Sequence, residues 1–361
     1  MKVCYTIIFN FILILSTTIL RGQGLDSHIS QYWINAARIN PALTGVTDND
    51  FRFIALARSQ DHATLGTSSD YESLLASIDG RIKVSTKKYT NREAKDYLGW
   101  GINALKTKAG DLDSKTTQLQ ASASFMKRLN DRNWYLATGL SIGYVRQGFD
   151  LSRARWGSQG NQDGTFDLTR IPHDKAILLD NANINWWDSS VGVSVSQAFT
   201  STTTKQGKGI GFSVAHLTRP HISVLNNPFE RAYLRYVFHG AYEIRRKNYF
   251  GGNVRTIVSL QNKSVEMLIG SNLTFDFGDN AVQIGTWVRL NNAQNKIIGD
   301  AIIPVVRFDF SNIGIGFSYD FNIFSNKTSS ETLRGLELTV VYRGAFDGVK
   351  CPDWKGYNFT F

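Results

Sequence analysis

Four groups of residues in this chain have types and spacings that chemistry uses. Gly139-Leu140-Ser141-Ile142-Gly143 matches the G-x-S-x-G pattern of hydrolases. A nucleophile elbow requires a strand, a strained turn and a helix around the serine, whereas Ser141 lies in the middle of a long alternating stretch. Gly99-Trp100-Gly101-Ile102-Asn103-Ala104 imitates a dinucleotide fingerprint, but the following LKTKAGD turns instead of opening a helix. The glycines there read as relief of crowding in a curved strand. His216 and His221 are the only close pair among six histidines, and H-x4-H without a cysteine or carboxylate framework is a poor zinc site. Asp309 and Asp320 have the types of an acid and base pair, with no cleft predicted to hold them. The residues therefore predict no enzyme, no catalytic group, no metal and no cofactor.

The elements that would position these residues are strands. The chain is 42% hydrophobic and 19% charged, which excludes a disordered polymer, and six prolines against 31 glycines with 12% aromatic residues favour strands and tight turns. From Trp134 to Val145, Trp134, Leu136, Leu140, Ile142 and Tyr144 fall on one face and Ala137, Gly139, Ser141 and Gly143 on the other. The same alternation marks Val191–Ser196, Ile210–His216 and Ile313–Phe321. Fourteen such segments are predicted, near 50–59, 72–79, 97–106, 115–127, 133–146, 184–198, 207–217, 233–244, 251–261, 263–276, 278–290, 299–310, 311–321 and 332–343. The fold class expected is all-β, a transmembrane antiparallel barrel of 12–14 strands of the bacterial outer-membrane type. A soluble sandwich also alternates, but at this length it would split into domains, and no Pro/Ser-rich linker is present.

Residues 3–20 form an apolar run behind Lys2 and are followed by Gly22-Gln23-Gly24, so 1–24 read as a signal peptide cut after Gly24. The domains expected are that peptide, an N-terminal segment 25–45, a barrel 46–343 and a tail 344–361. Cys4 falls within the leader, which leaves Cys351 with no internal disulfide partner. The formal charge of +10 is scattered, with no arginine-rich block, so nucleic acid is not an expected partner.

With short turns facing the periplasm, connections after even-numbered strands should be short and the others longer. Residues 128–132 and the turns near Gly278 and Asp309 agree. Gly80–Asp96 does not, and reads as a periplasmic excursion or a wrong count. The long connection Gln147–Asn183 faces outside and carries Arg153, Arg155, Trp156 and Phe166, types enriched in interface cores. They read equally as partner contacts or as a plug over the barrel mouth. Tyr32, Trp33, Ile34 and Ile39 would be poorly hydrated in a free tail, so residues 30–45 are expected in the barrel or at its periplasmic mouth. Asn40-Pro41 is expected as the turn that starts the first strand.

Ser30–Gly45 (SQYWINAARINPALTG) resembles the start of the PorP/SprF family of outer-membrane proteins of the type IX secretion system in Bacteroidetes. Ser30, Gln31, Tyr32, Asn40, Pro41, Ala42 and Gly45 correspond, while Ala36-Ala37 and Leu43-Thr44 depart from the usual pairs. Arg58-Ser59-Gln60, 99–110, GFSVAHLTRP (211–220, with His216 and Pro220), 318–323, 335–343 and Cys351-Pro352 follow in family order. The resemblance implies a barrel without catalysis in the outer membrane, surrounded by its lipid, supporting export or surface attachment of proteins with type IX C-terminal signals. The partners it implies are the periplasmic ring and motor lipoproteins of the secretion system, or a secreted adhesin such as a gliding adhesin. A channel for small hydrophobic or polar solutes is the alternative for the same fold.

Overall fold

Strict alternation of large apolar residues with small or polar ones gives each strand one greasy and one polar face, and a sheet of such strands buries its backbone bonds fully only by closing on itself. The computed structural model describes residues 29–47, 49–60, 71–85, 95–110, 114–129, 134–149, 157–161, 165, 167, 169–170, 183–197, 204–223, 229–246, 250–278, 280–293, 296–322 and 335–344. Fourteen strands are present in them: β1 (Phe51–Gln60), β2 (Tyr71–Ser85), β3 (Lys95–Ala109), β4 (Ser114–Arg128), β5 (Trp134–Gly148), β6 (Asn183–Gln197), β7 (Thr204–Ala215), β8 (Arg235–Arg246), β9 (Phe250–Gln261), β10 (Ser264–Asp276), β11 (Asn280–Ala293), β12 (Lys296–Phe310), β13 (Ile313–Asn322) and β14 (Gly335–Gly344). Each pairs antiparallel with its sequence neighbours. β1 then pairs with β14, from Phe51 opposite Gly344 to Gln60 opposite Gly335, and closes the barrel.

The strand count agrees with the alternation. Leu140 and Ile142 are 59% and 52% exposed on the outer face of β5, while Ser141 between them is 3% exposed. Leu74, Ile102, Leu119, Val254, Phe317 and Leu336 are exposed in the same way around the ring. Exposed apolar surface of that extent requires a hydrocarbon environment. No helix among the described residues is long and apolar enough to cross a membrane.

Three details differ from the sequence expectation. β2 runs on to Ser85 and β3 begins at Lys95, so much of the apparently long Gly80–Asp96 connection is strand and the count needs no change. The end carrying the connections after odd-numbered strands includes 149–182 and 216–234, but also a tight turn at 262–263 and a connection of only two residues between β11 and β12. Asn262 takes a left-handed φ of 52° in the tight turn, a conformation that suits a two-residue hairpin. Finally, Asn40-Pro41 does not start β1, which begins only at Phe51.

Two irregularities in β12 shape the inner wall. The pairing of β11 with β12 shifts between Arg289 and Leu290, leaving Asp300 as an extra residue that pairs with Arg289. The β12–β13 ladder has no pairs at Ile303 and Pro304, as expected where a proline cannot donate.

Candidate functional site

The barrel interior holds the chain's own N-terminal segment. Residues Tyr32–Arg38 form a 3-10 helix kinked at Asn35, and Pro41–Leu43 form a second. Asn40 caps the second by accepting the Ala42 N–H at 2.9 Å, with Pro41 at the first helical position. Nearly every residue from Ser30 to Gly45 is buried, including Gln31 and Asn40.

The segment is anchored first where β1, β13 and β14 approach the end that bears the odd connections. The Glu337 carboxylate accepts the N–H groups of Ser30 and Gln31 at 2.9 and 2.8 Å. The Ser30 hydroxyl donates to Asp320 at 2.7 Å, and Gln31 bonds Ser318 and Thr339. Arg58 joins Asp320 at 2.8 Å and Glu337 at 3.2 Å, and Arg289 joins Asp320 at 2.9 Å. Every charge in this group is buried and paired, which is the condition under which buried ions are tolerated.

Farther along, Trp33 stacks on Trp287 with centroids 4.1 Å apart, and Tyr32 meets both rings edge-on at 5.6 Å. Trp287 is fully buried and donates its indole N–H to Asn272 at 3.0 Å. Asn35 donates to Asn103 on β3 at 2.8 Å. The Asn40 amide donates to the carbonyls of Val193 and Phe212 and contacts His239 Nε2 at 2.9 Å, so one side chain ties the segment to β6, β7 and β8. Ser213 donates to the Ile39 carbonyl and Ser124 to the Thr44 carbonyl, both at 2.6 Å. Gly45, at φ 70°, donates its N–H to Asp79, which also holds Arg52 through two bonds of 2.9 Å.

The wall makes room for this path. A Cβ at Gly99 would overlap the Thr44 carbonyl, one at Gly139 the Pro41 carbonyl, and one at Gly192 the Asn40 amide oxygen. Gly99 of the nucleotide-like motif and Gly139 of the hydrolase-like motif therefore serve close backbone approach by the segment, not strand curvature alone.

Among the other residues singled out in the sequence, Ser141 hydrogen-bonds Ser190 and Gln120 in mid-strand, and the strand continues past it to Gly148 where an elbow would turn into a helix. Asp309 is held by Arg307 at 3.0 Å and Arg343 at 2.8 Å, in a different cluster from Asp320. His216 takes a left-handed φ of 60° just after β7, and its Nδ1 lies 2.7 Å from Asp188 on β6. The Pro220 carbonyl accepts the Ala232 N–H at 2.9 Å, and His221 bridges to Arg231, so this motif braces the 216–234 connection. Among the described residues, no group of three or more His, Cys, Asp or Glu is placed to hold a metal ion. Arg153, Arg155, Trp156, Phe166 and Cys351 lie outside the described residues, as does 1–24. Of the same loop, Asp167 is described. Its carboxylate is held below the usual range by hydrogen bonds from the Thr169 hydroxyl and N–H.

The sequence reading missed Trp287, Glu337, Asp320, Asp79, Arg58 and His239 as partners of the segment. A signal was available, since charged residues inside apolar strands of a membrane barrel must face inward.

The profile of the type IX secretion system membrane protein family PorP/SprF matches residues 22–342. Among solved structures, a Pseudomonas aeruginosa FadL homologue is 12% identical, with 89% of this chain and 96% of that chain covered and a TM-score of 0.47. BamA from Haemophilus ducreyi lacking POTRA domains 1–3 is 8% identical, covering 92% and 81%, with a TM-score of 0.40. The translocator domain of the autotransporter NalP from Neisseria meningitidis is 11% identical, covering 87% and 96%, with a TM-score of 0.33. The likeness to these extends to barrel architecture alone. No curated protein sequence matches the chain.

Proposed function

As the chain belongs to the PorP/SprF family of type IX secretion system membrane proteins, we propose that it supports export or surface attachment of proteins with type IX C-terminal signals, without catalysis. It is an outer-membrane β-barrel. The observation that carries the proposal is the extent of the family match, residues 22–342.

The filled lumen supports a particular way of working. With residues 30–45 seated inside, partners meet the barrel at its two rims. Phe229 and Tyr233 are exposed on the 216–234 connection, which belongs to the outer end in this reading, and Leu129 and Phe277 are exposed on turns of the opposite, periplasmic end. Aromatic residues are enriched in interface cores. Arg153, Arg155, Trp156 and Phe166 belong to the same proposed outer surface. The partners are a secreted adhesin outside, or the ring and motor lipoproteins of the secretion system inside. Against catalysis, Ser141 is surrounded by Ser190 and Gln120 instead of a histidine. No specific observation favours the solute-channel reading.

A clean deletion followed by proteomics of the medium and the cell surface tests the proposal. Loss of one adhesin identifies a dedicated assistant, and loss of all proteins with the type IX C-terminal signal identifies a core component. Unchanged export of every such protein overturns it.

A further inference from the structure

We infer that the lumen is a polypeptide-binding site in its own right, filled in cis by residues 30–45, and that a separate peptide of that sequence takes the same site. The inference is independent of the proposed role in secretion.

The segment is held as a bound peptide is held. It adds no strand to the sheet, and its nearest strand in sequence, β1, starts at Phe51. Its backbone is instead read by side chains of the wall at spaced points: Glu337 takes two N–H groups, Ser213 and Ser124 donate to two carbonyls, and Asp79 takes the Gly45 N–H. These wall residues come from β14, β7, β4 and β2, so the site is a property of the closed barrel and not of one neighbouring hairpin.

Side-chain recognition is superimposed on this. The Trp287 face receives the Trp33 ring, and the carbonyls of Val193 and Phe212 with His239 receive the Asn40 amide. Gly99, Gly139 and Gly192, on β3, β5 and β6, form a trough in which the Thr44 carbonyl, the Pro41 backbone and the Asn40 side chain lie where any Cβ would stand. A wall that only needed filling would require none of this matching, because apolar bulk suffices to fill a space. The ligand class is therefore a polypeptide carrying an aromatic residue followed, seven residues later, by an Asn-Pro turn.

The test uses the full chain with its own segment weakened by Trp33→Ala and Asn40→Ala, folded in detergent and checked by heat-modifiable gel mobility. A fluorescent synthetic peptide of residues 29–47 is titrated against this variant and against the unaltered protein. Saturable binding to the variant is expected, with at least about tenfold weaker binding of peptides that themselves carry Asn40→Ala or Trp33→Ala, since the first removes the donor to the Val193 and Phe212 carbonyls and the second leaves the buried Trp287 ring without its stacking partner. The unaltered protein, whose site is full, is expected to take up little. Adding Gly139→Val to the variant should abolish binding. Should the double variant fail to fold, Asn40→Ala alone serves in its place. A folded variant that binds the native peptide no better than a scrambled one overturns the inference. Type IX export plays no part in this readout, so its failure and that of the secretion proposal are distinguishable.

Discussion

At the scale of single residues, the lumen combines two kinds of contact that respond differently to substitution. The ion pairs Arg52–Asp79, Arg58–Asp320 and Arg343–Asp309 are buried, and buried pairs contribute little net stability beyond satisfying one another, although either partner left alone is costly. The aromatic stack is a net gain of buried area. Trp287→Ala should therefore lower stability by about 3–5 kcal/mol, the range for deleting a large aromatic from a packed interior, read by urea unfolding in lipid vesicles. Trp187→Ala, on a residue 60% exposed on the outer face of β6, should cost much less. Equal losses for the two would mean that the segment does not pack against the wall. The parity of these positions was legible in the sequence, because Arg52 and Arg58 share a face with Ile54 and Leu56. Their partners were not. Ser30 and Glu337 stand 307 residues apart in sequence, and only closure of β1 on β14 brings them together.

At the scale of elements, alternation predicted every strand and blurred only their ends. β2 through β6 each span 15 residues, whereas crossing the hydrocarbon takes about 9–11. Residues beyond the hydrocarbon have no lipid-facing side to keep apolar, so the alternating signal fades there; the Ser85 end of β2 and the Lys95 end of β3 therefore look like a connection in the sequence. Within the membrane the two faces of β5 should differ sharply. Leu140→Arg, near the middle of the strand and facing lipid, should reduce folding stability by about 2–4 kcal/mol, while Ser141→Ala, facing the lumen, should leave the folded fraction nearly unchanged. Folding yield into vesicles measures both, and tolerance of Leu140→Arg would contradict the lipid-facing assignment. The N-terminal segment was legible as a stretch too apolar to float free. Its path was not, since glycines at 99, 139 and 192 make a trough only when three non-adjacent stretches of sequence are brought side by side.

At the scale of the whole molecule, the barrel interior is occupied by its own chain, and the proposed partners engage its rims. Length, alternation and the family motifs carried the architecture, but the inward-facing residues of the strands did not distinguish an open lumen from a closed one, because pore-lining and plug-contacting residues are polar alike. The measurement that bears most directly on this account is site-specific photocrosslinking in living cells during secretion. A photoreactive phenylalanine analogue is placed in turn at Phe229 and Phe277 on the two rims and at Ala36 in the lumen, and the adducts are identified by mass spectrometry. The account predicts adducts with a secreted protein or a type IX component from at least one rim position, and only intramolecular adducts from position 36. Partner protein crosslinked at position 36 with none at either rim would contradict it.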